Sequence, residues 1–277
     1  MFFYDDITGA GGSGKLDASG DYIHMKDFPP GKFRSWAIIV SPGNGRLFFY
    51  NNNAGSAVAA SGRLDDTGKY VKLKDFPAGQ FGQWTNIVPL GDGRLFFYDS
   101  ITRAGGSGKL DASGDYVHMK DFPPGKFGNW HSIVSPGDGL LFFYNNNAGS
   151  AVAASGRLDD TGKYVNLKDF PAGQFGQWTN IVPLGDGRLF FYDSITRAGG
   201  SGKLDTSGDY VHMKNFPPGK FGIWVDIVSP DSGRLFFYYG NAGSAAAASG
   251  RLDETGKYVK LRDFPLGQFG QWNHIVG

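Results

Sequence analysis

The sequence is short of several residue types, and each shortage excludes a class of structure or site. It contains no cysteine, which excludes disulfides and metal sites built on thiolates. Glu254 is the only glutamate, whereas glycine, aspartate, phenylalanine and tyrosine are abundant. This composition favours strands joined by tight turns over helices. The 27 lysines and arginines nearly balance the 26 aspartates and glutamates, so no excess charge exists to attract nucleic acid or an anionic membrane.

Long apolar runs are also missing. No stretch approaches the length that a membrane-spanning helix requires. Met1 directly precedes an aromatic strand, which predicts that no leader peptide is present. We therefore expect a soluble protein that does not insert into membranes. We also expect a monomer, although no sequence feature specifies the oligomeric state. The sequence does not specify its compartment.

An internal repeat dominates the chain. Steps of 48 and 46 residues alternate between the six tryptophans, which are Trp36, Trp84, Trp130, Trp178, Trp224 and Trp272. The chain thus consists of six units of about 47 residues, arranged as three near-copies of a 94-residue pair. Periods of this size indicate solenoids, propellers or arrays.

Each unit carries four strand-like runs separated by glycine-bearing turns. In the unit that begins at Trp84 these runs are "WTNIV", "RLFFYD", "GKLD" and "DYVHMKDF". The run "LFFY" is apolar without alternation, as expected of a strand that is buried on both faces. Four antiparallel strands in a unit of this length are typical of a propeller blade. We predict an all-β fold, a single six-bladed β-propeller domain over residues 1–277 with three-fold repetition of a two-blade unit.

The two ends of the sequence are in phase with the repeat. The chain is five residues short of three full 94-residue repeats, and the gap falls inside one hairpin. Phe2, Phe3 and Tyr4 supply one strand of that hairpin, and the C-terminal "WNHIV" supplies the other. We expect these two segments to pair in one blade and close the ring, which leaves no free sheet edge there.

Metal and cofactor sites are not expected. The aspartates in "LDASGD", "LDDTGK" and "PGDG" lie where hairpins must turn, and their spacing does not match an EF-hand loop. His24, His118 and His212 recur in "YxHMK" without a second histidine nearby in the sequence. We predict no metal and no cofactor.

Catalysis needs an asymmetric constellation, and the repetition argues against one. We expect acids to have equivalents in other blades, so that no pair breaks the symmetry as a glycosidase would require. The sequence contains no nucleophile elbow and no P-loop. We therefore predict that the protein is not an enzyme.

Binding fits the repetition better, because repeated sites raise avidity. The framework is constant while the loop after "FFY" alternates between "DSITRAGGSG" and "NNNAGSAVAASG", and loops on a rigid scaffold carry function. Sugars suit an aromatic wall with planar polar partners. An interblade core for the tryptophans and a solvated loop for the polar residues are the alternatives. The candidate ligand-binding residues are Asp5, Gln83, Trp84, Asp99, Arg103, Asn129, Trp130, Asn145, Asn147, Gln177, Trp178, Asp193, Arg197, Trp224, Gln271 and Trp272.

The segment "WxxIVxxGDGRLFFY", from Trp84 to Tyr98 and its five counterparts, resembles the blade signature of the tachylectin-2-like propeller lectins. That resemblance implies a β-propeller that binds N-acetylated sugars such as N-acetylglucosamine or N-acetylgalactosamine in equivalent pockets. The family has five blades and a "GGW" start, whereas this chain has six units and "GQW" or "GNW". We predict a multivalent lectin for glycoconjugates. The alternatives are a protein-interaction scaffold and a glycosidase or lyase that acts in the central channel.

Overall fold

A computed structural model of the chain describes residues 1–52, 57–146, 151–231, 233–240 and 245–277. These residues form β-strands and turns, and no helix occurs among them. The strands make six sheets of four antiparallel strands, and the fold is a six-bladed β-propeller. The predicted fold class is confirmed. The chain divides into two compact units, residues 1–33 with 175–277 and residues 34–174, which are described separately below. The prediction of a single domain stays a prediction.

The first unit holds three blades. We name them blade 1 (β24-β1-β2-β3), blade 5 (β16 to β19) and blade 6 (β20 to β23). Their strands are β1 Phe2–Tyr4, β2 Gly11–Leu16, β3 Tyr22–Phe28, β16 Asn180–Gly185, β17 Arg188–Asp193, β18 Ala198–Leu204, β19 Tyr210–Phe216, β20 Asp226–Val228, β21 Arg234–Tyr239, β22 Ala246–Leu252, β23 Tyr258–Phe264 and β24 His274–Val276.

The second unit holds blade 2 (β4 to β7), blade 3 (β8 to β11) and blade 4 (β12 to β15). Their strands are β4 Ile38–Gly43, β5 Arg46–Asn51, β6 Val58–Leu64, β7 Tyr70–Phe76, β8 Asn86–Pro89, β9 Arg94–Tyr98, β10 Gly105–Leu110, β11 Tyr116–Phe122, β12 Ser132–Gly137, β13 Leu140–Asn145, β14 Val152–Leu158 and β15 Tyr164–Phe170.

The terminal strands pair as the repeat predicts. β24 lies antiparallel to β1 and joins Phe3 to Ile275 and Tyr4 to His274. Blade 1 is therefore a complete four-stranded sheet built from both ends of the sequence. This pairing gives the β1 edge a hydrogen-bonded neighbour.

The second strand of each blade forms the core. The six residues of β13 are all buried, as are the five of β9. Their aromatic side chains pack across to the next blade, as Phe96 does against Phe143, with ring centroids 6.1 Å apart in a T-shaped arrangement. The absence of alternation in "LFFY" thus has the expected cause, because both faces of the strand meet another layer of the core.

The glycine-bearing turns are tight hairpins. β4 ends at Gly43 and β5 begins at Arg46, so Asn44 and Gly45 form a two-residue turn with φ values of 56° and 69°. Positive φ at both positions is the type I′ geometry that matches the twist of the flanking strands. The "PGDG" aspartate of blade 4 lies in the same kind of turn, as the sequence predicts, because Asp138 also has a positive φ of 53°.

Polar bonds join each blade to the next within a unit. Arg94 in blade 3 donates through Nη1 to the carbonyl oxygen of Leu158 in blade 4 at 3.0 Å. The hydroxyl of Ser107 donates to the carbonyl oxygen of Gly162 at 2.9 Å. Since both donors are buried, these bonds fix the angle at which consecutive blades pack.

Candidate functional site

The aspartates of the "DSIT" loops hold their own loop in shape. The carboxylate of Asp99 accepts hydrogen bonds from the backbone N–H groups of Ile101 (3.0 Å) and Thr102 (3.2 Å) and from the Thr102 hydroxyl (2.5 Å). Asp193 accepts the same three bonds in blade 5. Asp5 accepts two of them in blade 1, from the Ile7 N–H group and the Thr8 hydroxyl. The loop leaves its isoleucine exposed, 83% in the case of Ile101. These three predicted ligand residues therefore have a structural task in the loop.

The arginines of these loops stand at strained positions. Arg103 and Arg197 both have a φ of 59°, in the left-handed region where the corresponding residue of blade 1 is Gly9. The backbone N–H of Arg103 donates to the Asp99 carbonyl oxygen at 2.8 Å, and the Arg103 side chain is exposed. The predicted pairing of Asp99 with Arg103 is thus a backbone contact that closes the loop.

Five of the six tryptophans combine the two roles that the sequence left open. Each packs on the phenylalanine that precedes the blade tyrosine, as Trp84 does on Phe97 with ring centroids 5.7 Å apart. Each is also partly exposed, whereas Trp36 is buried at 6%. Trp178 and Trp224 pack in the same way. The indoles are therefore part of the core and can also form the wall of a pocket.

Some predicted residues meet at one pocket in the second unit. Asn129, Trp130 and Asn145 line a pocket of about 390 Å³ together with Asn86, Ser100 and His131, which the sequence analysis did not single out. The Asn145 amide donates to the Asn129 carbonyl oxygen at 2.6 Å. Asn147 lies outside the described residues. This pocket offers neutral amides and one imidazole.

A second pocket in the same unit includes Trp84. It measures about 300 Å³, and its polar lining includes Gln80, His118 and Asp121. His118 Nε2 lies 3.3 Å from Asp121 Oδ2, and both side chains are more than half exposed. Gln83 and Gln177, the predicted neighbours of Trp84 and Trp178, are exposed and line none of the three pockets described here.

The third pocket lies in the first unit, between blade 6 and the segment that leads into β24. It measures about 320 Å³ and is lined by Val225, Asp226, Tyr238, Gly240, Gln271, Trp272 and Asn273. Of these, Gln271 and Trp272 were predicted. Tyr238 fixes the wall of the pocket, since its hydroxyl donates to the Gly270 carbonyl oxygen at 2.6 Å and accepts from the Trp272 backbone N–H at 2.9 Å.

Asp226 is the acid of this pocket and stands alone in the repeat. It begins β20, two residues after Trp224, and pairs with Tyr238 across the sheet. Burial raises the pKa of its carboxyl above the ordinary value, and the positive charge of protonated His274 opposes part of that rise. The same burial, together with the negative charge of Asp226, raises the pKa of Tyr238. A carboxylate with a raised pKa in a cleft is a candidate for acid–base chemistry.

His274 occupies the equivalent position of blade 1, two residues after Trp272. Its ring stacks on Tyr4 with centroids 5.8 Å apart, and its Nε2 lies 4.0 Å from Asp6 Oδ2. The other oxygen of the Asp6 carboxylate accepts a hydrogen bond from the Asn273 amide at 2.5 Å. Asp6 and His274 thus lie close together in blade 1, and His274 acts electrostatically on Asp226 in blade 6.

The sequence carries a signal for this group that the prediction missed. The residue two positions after tryptophan is Ile38, Asn86, Ser132, Asn180, Asp226 and His274 in the six units. Asp6 likewise replaces the Ser100 and Ser194 of its sister loops. The expectation that no acid breaks the symmetry was therefore wrong. Comparing the six units column by column would have revealed it.

Within residues 1–52, 57–146, 151–231, 233–240 and 245–277, no group of three or more histidine, aspartate or glutamate side chains is placed to hold a metal ion. In the same ranges, no helix is long and apolar enough to cross a membrane.

No protein-family model and no curated protein matches the sequence. Solved structures match the fold. The periplasmic gluconolactonase of Pseudomonas aeruginosa is 14% identical over 98% of this chain and 96% of its own, with a TM-score of 0.55. A putative 6-phosphogluconolactonase from Bacteroides uniformis is 14% identical over 95% of this chain and 80% of its own, with a TM-score of 0.56. A protein from Lactobacillus plantarum is 13% identical over 95% of this chain and 81% of its own, with a TM-score of 0.57.

These findings correct two predictions, namely that the protein is a lectin and that it is not an enzyme. Three structures that share the fold are named gluconolactonase or putative 6-phosphogluconolactonase. The physical basis of both predictions was strict repetition, which fails at Asp226, His274 and Asp6. At these identities the likeness establishes the fold alone.

The resemblance to the tachylectin-2-like family, the carbohydrate partner and the monomeric state stay predictions. The chain is a six-bladed β-propeller, and its fold is similar to that of structures named gluconolactonase and 6-phosphogluconolactonase.

Proposed function

We propose that this protein is a hydrolase that opens a small lactone, with Asp226 as the general base. The observation that carries the proposal is the placement of Asp226 in a pocket, under the electrostatic influence of His274. Both residues stand at a position where the other blades carry isoleucine, asparagine or serine. The proposal is supported by the fold it shares with structures named gluconolactonase and 6-phosphogluconolactonase. A sugar-derived lactone is therefore the first substrate class to test, and it also falls within the predicted carbohydrate partners.

The reaction needs a base that is ionised near neutral pH and basic enough to take a proton from water. The Asp226 carboxylate removes a proton from a water molecule while that oxygen attacks the lactone carbonyl carbon. The ring C–O bond then breaks, the Asp226 carboxyl returns the proton to the leaving oxygen, and a hydroxy acid forms. The raised pKa of Asp226 suits both steps. The carboxylate is a stronger base toward water, and the carboxyl that forms holds its proton until the leaving oxygen accepts it.

The neighbouring groups have separate tasks in this scheme. The positive charge that His274 carries when protonated offsets part of the charge of Asp226, and the Asp6 carboxylate lies 4.0 Å from His274 Nε2. The amide side chains of Gln271 and Asn273 line the pocket, and amide N–H groups are donors of the kind that stabilise a developing oxyanion.

The test is hydrolysis of glucono-δ-lactone, followed as acid release above the uncatalysed rate. The variant D226N places in blade 6 the residue that blades 3 and 5 carry at Asn86 and Asn180, so it removes the base without introducing a side chain that is foreign to the fold. We expect kcat to fall by about 100-fold or more, since a positioned general base contributes roughly 10²–10⁴-fold.

The matched control is E254Q, which neutralises an exposed acid in the same blade. Its rate should equal that of the unmodified protein. If neither glucono-δ-lactone nor a simple γ-lactone is hydrolysed above background, or if D226N is as active as E254Q, the proposed function is wrong.

A further inference from the structure

Blade 6 departs from the repeat at more positions than Asp226, and two of the departures, Val225 and Gly240, line the same pocket. Ile223 and Val225 flank Trp224 on either side. The other blades carry Ser35, Gln83, Asn129, Gln177 and Gln271 before the tryptophan, and Ala37, Thr85, His131, Thr179 and Asn273 after it. Blade 6 is thus the blade in which both flanking residues are large and aliphatic.

These two side chains are not used by the core. Ile223 is 58% exposed and Val225 is 56% exposed. Val225 is next to Asp226 in the chain and lines the pocket together with Trp272. Two exposed aliphatic side chains on either side of one tryptophan, one of them in a pocket, form an apolar surface that a ligand entering from solvent can cover.

A third departure gives that contact room. Gly240 stands where blades 2 and 4 have Asn52 and Asn146, and it lines the pocket. A Cβ at this position would lie 3.0 Å from the Tyr238 ring and hydroxyl, closer than ordinary van der Waals contact. The glycine therefore leaves open the space that a side chain would fill, next to the Tyr238 ring.

We propose that the pocket selects lactones that carry an aliphatic chain, with the lactone carbonyl at Asp226 and the chain lying on Val225, Ile223 and the Trp272 ring. This inference rests on the proposed function and specifies its substrate class. It distinguishes this pocket from the one lined by Asn86, Asn129 and His131, which has a similar position between blades 3 and 4 but amides and an imidazole in place of aliphatic groups.

The test compares γ-butyrolactone with γ-undecalactone, which differ only in a seven-carbon chain. Each buried methylene contributes up to about fourfold to binding, so partial burial of the chain should raise kcat/KM by about tenfold or more for the longer lactone. V225T and I223Q each restore a residue that other blades carry, such as Thr85 and Gln83, and both should fold normally. We expect them to lower kcat/KM for γ-undecalactone by about three- to tenfold and thereby to reduce the ratio of kcat/KM between the two lactones, a ratio that E254Q should keep.

A second readout separates the inference from the proposed function. The probes are the corresponding γ-lactams with and without the alkyl chain, because lactams resist hydrolysis. Each is titrated into the protein and its binding is measured by calorimetry. Tight binding of the alkyl lactam that V225T weakens would support the aliphatic site even if no lactone were hydrolysed. The inference would be overturned if kcat/KM were equal for both lactones. It would also be overturned if V225T and the unmodified protein had the same preference for chain length. Neither result would contradict the proposed hydrolase function.

Discussion

Asp226 and His274 occupy the same position in two consecutive blades, each two residues after the blade tryptophan, and the charge of protonated His274 acts on the Asp226 carboxyl. The other four blades place neutral side chains at this position. An acid and a base have thus replaced neutral residues at adjacent points of an otherwise repeated scaffold. Such a pair is what acid–base chemistry requires and what a purely structural repeat does not explain.

The raised pKa of Asp226 has a consequence for the pH profile. The base must be ionised to act, and burial favours the neutral form. We expect kcat/KM to fall as the pH drops through that pKa, with the midpoint above 3.8, the ordinary value for aspartate. Initial rates between pH 3 and 8 measure it. A profile without a descending acid limb would contradict the role of Asp226.

The same carboxyl should cost stability at neutral pH. Because its folded pKa is raised, the folded state binds the proton more tightly, and stability declines as the pH rises from 3.8 through the folded pKa. We expect D226N to have a higher melting temperature than the unmodified protein at pH 7 and a similar one at pH 3. Thermal unfolding at both values is the measurement, and E254Q should show neither difference.

Six repeated turns, each with an aspartate whose pKa is lowered, predict that the folded state loses stability at low pH. The Asp111 carboxylate accepts bonds from the Ser113 hydroxyl (2.6 Å) and from the N–H groups of Ser113 and Asp115 (both 2.9 Å). These bonds lower its pKa, the Ser113 hydroxyl most of all. The pKa is lowered in the same way at Asp17, Asp65, Asp159, Asp205 and Asp253. The stabilisation that these ionised carboxylates give the folded state is complete above pH 3.8, the ordinary pKa of aspartate. It is lost as the pH falls through their lowered pKa values.

D111N tests this origin of acid sensitivity, since the amide keeps an acceptor oxygen but does not titrate. We expect its melting temperature to decline less steeply below pH 4 than that of the unmodified protein. An unchanged slope would show that the turn aspartates do not control acid unfolding.

Substitution of Arg94 tests how much a hydrogen bond between two blades contributes to stability. Its side chain is 8% exposed and donates to Leu158 in the next blade and to Asp92 in its own turn. Blade 4 has Leu140 at this position, so R94L is a substitution that the blade accommodates. We expect the free energy of unfolding to fall by about 1.5–3 kcal/mol, because a charge-assisted bond to a buried carbonyl is lost. Denaturant titration measures it, and R63L, at an exposed arginine of blade 2, should change stability little.

Two glycines of one strand should respond differently to the same substitution. A Cβ on Gly108 would lie 2.3 Å from the Tyr116 ring, whereas a Cβ on Gly106 would meet Trp84 at 3.4 Å. Blades 2, 4 and 6 already carry alanine at the position of Gly106, as at Ala60. We therefore expect G106A to fold with nearly unchanged stability and G108A to lose about 1–3 kcal/mol from overpacking. Equal melting temperatures for the two variants would contradict this geometry.

Local features of the candidate site could be predicted, whereas its function could not. Gln271 and Trp272 follow from the idea that tryptophan and its polar neighbour form a wall, and both line the pocket. Asp99 was predicted as a ligand because it is polar and follows a conspicuous strand, but its carboxylate is occupied by Ile101 and Thr102. Residue type alone does not show whether a carboxylate faces its own loop or a cavity.

The sequence by itself determined the blade, the number of blades and the pairing of Phe2–Tyr4 with His274–Val276, because strand period and turn chemistry are local and repeat along the chain. Only the tertiary structure decided that Val225, Asp226 and Gly240 of blade 6 share one pocket with Gln271 to Asn273, which lie at least 30 residues further along the chain. Side chains of consecutive blades meet where two sheets pack, and that meeting depends on the packing angle rather than on any pattern within one strand.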